Sequence, residues 1–542
     1  MTTTSWAQGV NGNWINSESW TAGLPTASST AFITAGGNYT VTSGSPDSAG
    51  NLELAKHATI SVIDEELQIA LGGTLAGTIA ISNAAATLGL GNDITGHTTF
   101  NNTGAILLGP GNLAVSATVT LTGKGVVNLS GGNGSSQIVS DGLGQARLTN
   151  VSNTISGSGT IGDPFLSFTN APKGIVDATG INGNGGLLII DTESFTNDGE
   201  LEATNSSELL IESTIEDTFN ARVRAVGDGD INLQNATLSG GVISISNGSI
   251  LNSANAGVSF IDATTAIAND GLIDADEGTL IINASIKNDG NGVLSVNNGY
   301  TLSIAGNVTN GTANIGASGL LIFGGASSAN VIFGLISTGT LKLDDATKFT
   351  GTVAGMLGNP GAGIDLENIV FANSPVVSFN ATQHLLTVTD PVTGITDTIK
   401  ISGPAGTFTP SMASDGSTLI KDPPANAASV PNDNAQLLVQ AMASFGASSG
   451  IAGSGEMDSS PNQVLGNISG FATGDAIDLG YLPFNSAYSA VWAENGSNTG
   501  GTLNIMNGAS TVTALTNLTG SFTSANFQLS QATNGTELIQ HT

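Results

Sequence analysis

A short phrase that recurs about every 20 residues constrains the fold of this chain more than any other feature. It appears as Ile267-Ala-Asn-Asp-Gly, Ile286-Lys-Asn-Asp-Gly and Val308-Thr-Asn-Gly, and Phe195-Thr-Asn-Asp-Gly opens an earlier copy. The short runs between the phrases alternate apolar and polar residues, which predicts strands, whereas Asn, Asp and Gly predict turns. Repeated strand-and-turn units of this length are typical of a solenoid.

We therefore predict an all-β chain with a right-handed parallel β-helix from about Ala31 to Lys342. In such a fold each coil lies on the previous one, strand on strand, and inward Ile, Leu, Val and Ala side chains form the core. Gly is expected at the corners because it adopts positive φ, and the Asn amide because it can bond to its copy in the next coil. We expect Ile281 to point inward. A large β-sandwich is the alternative, but it would place turns every ~8–12 residues without the repeated phrase.

Composition limits the partners. The 542 residues include 11 Lys and Arg against 42 Asp and Glu, so the net charge is −31. Phosphate binding needs basic patches, so we predict no nucleic-acid partner, and the chain has no run of ~18 apolar residues that predicts membrane insertion. Divalent cations would relieve the self-repulsion, so calcium is the one cofactor that we consider. There is no Cys, which excludes disulfides and thiolate sites.

The first 30 residues form a segment of their own. Trp6, Trp14 and Trp20 lie within it, and the chain has four Trp in all. We predict that this segment caps the first coil. The start has neither a basic region nor an apolar core of the kind that a secretory signal peptide carries, so an export signal is expected elsewhere.

Two stretches of the body resemble a known group of proteins. Ala146–Gly180 contains "NTISGSGTIG", and Ser194–Thr204 contains "FTNDGELEA". Both are similar to the repeat phrases of large bacterial surface proteins with autotransporter-like, pectate-lyase-like β-helices. The opening, with its Trp residues and Pro25, resembles the N-terminal stretch of the same proteins. The resemblance covers about residues 1–345 and implies a parallel β-helix and a location at the cell surface.

A second repeat lies in the last third. Phe349–Ile420 and Val464–Ile539 each contain Ile-Asp-Leu, then a pair of strands, then Phe-Thr and a closing Leu-Ile. Such modules resemble the C-terminal β modules of proteins exported by type I secretion, which implies an export signal near the C-terminus. We divide the chain into a cap (1–30), a β-helix (31–345), a first β module (346–422), a Pro/Gly/Ser linker with one short helix (423–463), and a second β module with the secretion-signal region (464–542).

Few residues of the sequence suggest catalytic or metal-binding chemistry. Asp344-Asp345 matches the acidic pair of polygalacturonase-like sites, but the Gly-His-Gly and Arg-x-Lys motifs that such sites also need are missing. We predict no enzyme and no catalytic residue. For Arg222 and Arg224 we expect a surface ion-pair cluster with Asp228 and Asp230. The candidate metal ligands are Asp228, Asp230, Asp274 and Asp276, with a solvated acidic edge as the alternative.

Three functions remain open at this point. The first is a secreted structural protein that assembles into an S-layer, a filament or a biofilm matrix, with the N-terminal segment of one copy meeting the C-terminal modules of the next. The second is an adhesin that binds a cell-surface polysaccharide, and the third is a polysaccharide lyase or hydrolase. Unlike ends favour head-to-tail contacts, which propagate unless they close into rings.

Overall fold

The computed structural model describes residues 2–93, 96–131, 135–180, 185–264, 266–334, 337–356, 359, 361–403, 407–422, 456–459, 476–495, 500–508, 510–519, 522–531 and 536–541. They fall into two compact units. Unit 1 contains Met1–Val293 and Thr301–Val308, and unit 2 contains Leu294–Tyr300 and Thr309–Thr542. The helix expected within the linker lies outside the described residues.

The chain is nearly all β and forms a parallel β-solenoid of about 15 turns, which confirms the predicted fold class. Its right-handed sense stays a prediction. The described part of the chain also contains four short 3-10 turns, η1 (Ser17–Ser19), η2 (Ala346–Lys348), η3 (Phe371–Asn373) and η4 (Ser524–Asn526).

The first third of the strands consists of β1 (Thr2–Ser5), β2 (Gly12–Asn13), β3 (Ser29–Ile33), β4 (Tyr39–Ser43), β5 (Asp47–Leu54), β6 (Ala58–Val62), β7 (Glu66–Leu75), β8 (Thr78–Ile81), β9 (Thr87–Leu90), β10 (Thr98–Asn102), β11 (Ala105–Leu108), β12 (Asn112–Val115), β13 (Thr118–Thr122), β14 (Val126–Leu129), β15 (Gln137–Ser140), β16 (Ala146–Asn150), β17 (Thr154–Gly157) and β18 (Gly159–Ile161).

The next strands are β19 (Leu166–Asn170), β20 (Ile175–Ala178), β21 (Leu187–Ile190), β22 (Ser194–Asn197), β23 (Glu200–Ala203), β24 (Glu208–Ile211), β25 (Thr214–Ala225), β26 (Asp230–Leu233), β27 (Thr237–Ile245), β28 (Ile250–Ser253), β29 (Val258–Asp262), β30 (Ile267–Asn269), β31 (Leu272–Ala275), β32 (Thr279–Ile282), β33 (Ile286–Asn288), β34 (Val293–Val296), β35 (Thr301–Ile304) and β36 (Val308–Thr309).

The last strands are β37 (Thr312–Ile315), β38 (Leu320–Phe323), β39 (Asn330–Phe333), β40 (Thr340–Leu343), β41 (Thr352–Ala354), β42 (Gly363–Val370), β43 (Val376–Asn380), β44 (Leu385–Thr389), β45 (Thr396–Ser402), β46 (Thr409–Met412), β47 (Ser417–Lys421), β48 (Glu456–Ser459), β49 (Ala476–Pro483), β50 (Tyr488–Glu494), β51 (Gly500–Asn507), β52 (Ser510–Thr519), β53 (Phe527–Gln531) and β54 (Thr536–His541).

Most coils of unit 1 have three strands, each paired in parallel with the third strand after it. Thus β10, β13, β16, β19 and β22 follow one another along one face. Side chains alternate along every strand, so one set points into the solenoid and stacks on its equivalents. Leu148, Phe168 and Phe195 form such a column, and each is at most 1% exposed. This column is the predicted core in its simplest form.

The Asn of the repeated phrase forms a buried ladder, as the sequence predicts. Asn150 Nδ2 donates to Asn170 Oδ1 over 3.0 Å, and Asn170 Nδ2 donates to Asn197 Oδ1 over 3.0 Å. In a later phrase Asn269 Nδ2 donates to Asn288 Oδ1 over 2.9 Å. The amide groups of this column therefore have hydrogen-bond partners in the next coil. Buried polar groups that are paired in this way cost little stability inside an apolar core.

The expected role of the glycines in this phrase is only partly right. Gly290 has φ +60°, as a corner in the left-handed region requires. Gly199 and Gly271 are not in that region. There a Cβ would collide with the backbone carbonyl of the coil below, Gly174 O in one case and Ser249 O in the other. At these corners Gly is needed because two backbones approach closely.

The expectation that Ile281 points inward is wrong. In β32 the buried residues are Leu280 and Ile282, both 0% exposed, and Ile281 points outward with Thr279. Leu280-Ile281-Ile282 is an unbroken apolar run, so hydrophobicity alone leaves the phase of the strand open by one residue. A shift of one residue reverses which side chains face the core.

Antiparallel strands follow the last parallel coils of unit 2. β42 pairs in parallel with β40 but antiparallel with β47, and β47 pairs with β46. β45 continues into an antiparallel sheet with β44 and β43. The second copy repeats this plan, because β49 pairs antiparallel with β54, β54 with β53, and β50, β51 and β52 form a three-stranded sheet. The register of β42 with β47 shifts after Leu366, and that of β49 with β54 shifts after Leu479, which is the Leu of Ile-Asp-Leu in each copy.

Candidate functional site

The four candidate metal ligands lie in two separate pairs. Asp228 occupies a turn with φ +61°, and Asp230 begins β26. Asp274 lies in β31 and Asp276 just after it, and β28 lies between β26 and β31 in the stack. Among the described residues there is no group of three or more His, Cys, Asp or Glu side chains that could hold a metal ion. Calcium binding at these positions stays a prediction.

The ion pairs of Arg224 involve other acidic residues than the sequence predicted. Arg222 and Arg224 do share a face of β25, but the guanidinium of Arg224 lies 2.6 Å from Glu200 Oε1 and 3.5 Å from Glu202 Oε2. Both partners belong to β23, the strand of the coil below, in register with Arg222 and Arg224. The partners of Arg224 lie on the adjacent coil and are distant in sequence. The prediction of Asp228 and Asp230 used proximity in sequence alone and therefore missed them.

Carboxylates stack around this arginine. Asp177 is in register with Glu202, and burial raises the pKa of Asp177 to about 6, with the charge of Glu200 adding to the rise. Burial also raises the pKa of Glu202 to about 7, helped by the charges of Asp177 and Glu200 and opposed by Arg224. This face of the solenoid therefore gains negative charge between pH 5 and 8.

At the start of unit 1 the aromatic segment forms a closed structure. Trp6, Trp14 and Trp20 are all at most 4% exposed, and Trp20 lies edge-on to the other two with ring centroids 5.1 and 5.0 Å apart. Trp20 Nε1 donates to Trp14 O over 2.8 Å, and Trp6 Nε1 donates to Val10 O over 3.1 Å. Two of the three buried indoles thus donate to a backbone carbonyl, and Trp20 packs against both of the other rings, as buried aromatic side chains prefer.

The same segment covers the outer edge of β1. The inner edge pairs with β3. On the outer edge Ser5 N–H donates to Thr21 Oγ1 over 3.0 Å, Thr21 N–H donates to Ser5 O over 2.9 Å, and Ala7 N–H donates to Ser19 O over 2.8 Å. Backbone groups that would otherwise attract another strand are therefore already bonded along this part of the edge.

Three of the edge strands in unit 2 differ in what occupies their outer edge, and β48, β52 and β53 are further strands with one partner among the described residues. β46 carries Pro410, which cannot donate to a further strand. In the second module Trp492 N–H on β50 donates to Ser524 Oγ over 2.8 Å. β43, the counterpart of β50 in the first module, pairs with β44 on one side and with no strand on the other among the described residues. It is therefore the open edge of this module.

The composition of β43 suits strand pairing. It contains Val376, Val377, Ser378, Phe379 and Asn380 and no charge, and Val376 is 59% exposed. Val377 and Phe379 lie opposite the buried Val388 and Leu386, and Phe379 packs edge-on against Phe408 with centroids 5.1 Å apart. Among the described residues, the strand is thus held by contacts on one face and by hydrogen bonds on one edge.

Sequence reasoning missed this edge. The duplication of the module was visible in the letters, but the difference between the two edges depends on one side chain, Ser524, that reaches a strand 32 residues away. The available indication was an apolar, uncharged run directly after Pro375, because natural edge strands usually carry a charge or a proline within them.

No helix among the described residues is long and apolar enough to cross a membrane. Comparison with family models, with curated proteins and with solved structures gives no match to this chain. Of the resemblance stated above, only the β-solenoid repeat is shown, and the likeness to autotransporter-like, pectate-lyase-like and type I secretion proteins stays a prediction.

Proposed function

We propose that this chain is a secreted, self-associating structural protein of the bacterial cell surface or extracellular matrix, and that its copies pair through the open edge of β43. The observation that carries the proposal is the contrast between edges. The edge of β1 is bonded to its own cap, β46 contains a proline and β50 is bonded to Ser524, whereas the outer edge of β43 has no partner strand in the part of the chain that the structure describes.

A second copy is the occupant that the charges favour. With a net charge of −31, most surfaces of two copies repel each other. β43 has no charged residue, so two copies can approach there without placing carboxylates opposite one another. An antiparallel pair of identical strands is also self-complementary, as a twofold contact requires.

We propose this contact in place of the head-to-tail contact expected from the sequence, which stays a prediction. The outer edge of β1 is partly covered, so it offers less to a C-terminal module than an open strand would. A symmetric dimer through β43 is the first step, and an extended assembly needs one further contact per copy. The acidic faces are available for that contact when cations or low pH reduce their charge.

The test is the substitution Val376→Lys. In an antiparallel pair centred on Ser378, each lysine would lie opposite Asn380 of the partner subunit and would bring a charge into a contact that has none, and Val376 is exposed enough that the fold itself loses little. We expect the dimer dissociation constant to rise at least tenfold, which corresponds to about 1.4 kcal/mol, in sedimentation velocity at several concentrations.

Val10→Lys is the matched control, because Val10 is 56% exposed and lies in the N-terminal segment. A full-length protein that stays monomeric at every concentration, or equal association of both lysine variants, would refute pairing through β43. Export is tested separately, by deleting residues 464–542 and measuring how much protein leaves the cell.

A further inference from the structure

We infer that a groove on unit 1 is a binding site for a linear glycan without acidic groups. The groove has a volume of about 550 Å³ and lies on the outer surface of the strands β7, β9, β12 and β15. This volume is within the range of small-molecule sites, about 300–1,000 Å³. The inference does not depend on self-association through β43.

One wall is a column of polar side chains. Glu66, Thr87 and Asn112 lie in register on successive coils and point outward. The opposite wall comes from the turns that follow the strands and includes Asn92, Asp93 and Asp141. Each coil therefore contributes a polar group to at least one side of the groove.

The floor is recessed where the next outward column has two small residues, Gly89 and Ala114. Gln68, Gly89 and Ala114 are in register, and Ala114 is only 8% exposed although it points outward between the inward Leu113 and Val115. A Cβ at Gly89 would collide with the side-chain oxygens of Gln68 and Glu66. The Gln68 side chain is held over this floor by its Nε2, which donates to Gly91 O. The small residues thus give the groove its depth, and the hydrogen bond of Gln68 fixes a side chain beside its floor.

The lining selects against anions. It contains three carboxylates, Glu66, Asp93 and Asp141, and neither Lys nor Arg. Glu66 has a raised pKa because of its burial and the nearby charge of Asp141. A polyuronate or a phosphate would be repelled, whereas carboxylate and amide oxygens accept hydrogen bonds from the hydroxyl groups of an uncharged sugar.

The periodicity of the groove favours a chain over a single sugar. Successive coils are ~4.8 Å apart, a spacing close to the length of one pyranose residue in an extended polysaccharide. Four coils line the groove, so consecutive sugars can meet equivalent groups on consecutive coils. Val139 and the 80% exposed Leu143 supply apolar surface at one end of it.

The test is a calorimetric titration of the full chain with cellohexaose, with chitohexaose and with oligogalacturonate. We expect at least one of the two uncharged oligosaccharides to bind and oligogalacturonate not to bind. Ala114→Phe fills the floor without changing a charge, and it should weaken binding at least tenfold. The double variant Glu66→Gln/Asp141→Asn keeps the shape and should weaken binding through the loss of the charged acceptors.

Ala80→Phe is the matched control. Ala80 is half-buried, points outward from β8 and does not line the groove, so this variant should bind like the unchanged chain. Failure of both uncharged oligosaccharides to bind would overturn the inference. So would tight binding of oligogalacturonate, or equal binding by the Ala114→Phe and Ala80→Phe variants.

Discussion

Asp217 occupies the position in the buried ladder where another Asn would be expected. Asn197 Nδ2 donates to Asp217 Oδ1 over 2.8 Å, which continues the bonds from Asn150 through Asn170. The other oxygen, Oδ2, is buried and has no hydrogen-bond partner among the described residues. Burial raises the pKa of Asp217 to about 7, against an ordinary value of 3.8. We predict that Asp217→Asn stabilises the protein at pH 8.

The magnitude follows from proton linkage. The folded chain holds a proton on Asp217 up to about pH 7, whereas the unfolded chain loses it near pH 4. The wild-type chain therefore loses stability as pH rises from about 4 to 7, and no more is lost above that. Three pKa units would correspond to about 4 kcal/mol, and relaxation and water penetration reduce this to about 1–2 kcal/mol. For a cooperative unit of about 300 residues, this equals a rise of about 2–3 °C in the unfolding temperature.

The assay is thermal unfolding followed by circular dichroism from pH 4.5 to pH 8. The gap between Asp217→Asn and the wild-type chain should widen with pH and level off above pH 7. Asp217→Ala is the control, because it also removes the carboxylate but leaves the amide of Asn197 without its acceptor. It should show the same pH dependence and lie about 0.5–1.5 kcal/mol below Asp217→Asn. Parallel curves for the wild type and Asp217→Asn across this pH range would refute the reasoning.

Two further predictions concern packing and charge. Leu280→Asp should cost several kcal/mol because it buries a carboxylate without a partner, whereas Ile281→Asp should change the unfolding temperature little; equal losses for both would mean that the phase of β32 is misassigned. Lys342 lies among three acidic groups, 2.5 Å from Asp415 Oδ2 and 3.9 Å from Asp365 Oδ2, with Glu367 also in contact, and these partners raise its pKa despite burial. Lys342→Met should therefore destabilise unit 2 by about 1–3 kcal/mol at pH 7, measured by urea unfolding, and a loss that disappears in high salt would point to surface attraction alone.

The sequence predicted most of the fold because the repeated phrase has two independent consequences that agree. Apolar alternation placed residues such as Leu148 and Phe168 in the core, and the Asn of the phrase predicted a ladder between coils. Where the alternation breaks down, as in Leu280-Ile281-Ile282, no local rule fixes the phase of the strand. The contacts with the coil below decide it, and they are set by the whole stack.

The candidate sites were harder to predict because they are made across coils. Arg224 pairs with Glu200, which is 24 residues earlier in the chain. The groove brings together Glu66 and Asp141, which follows the strand three coils later. Such partners become visible only once the register of every strand is known. The composition of single segments suggested Asp228 and Asp274 instead, because acidic residues close in sequence are the only clusters that a linear pattern reveals.

The Asn ladder also bears on how a chain of this kind can change in length. Asn170 bonds to equivalent amides in the coils on both sides of it, so a coil inserted between Asn150 and Asn170 would find the same partners that those residues now give each other. Whole coils can thus be duplicated or lost with little penalty in the middle of the stack. A change at the Trp6–Trp20 cluster would require a new closing structure, because the described part of unit 1 does not repeat its contacts. Coils in the middle of the stack can therefore be exchanged for one another, whereas the Trp6–Trp20 cluster has to be kept.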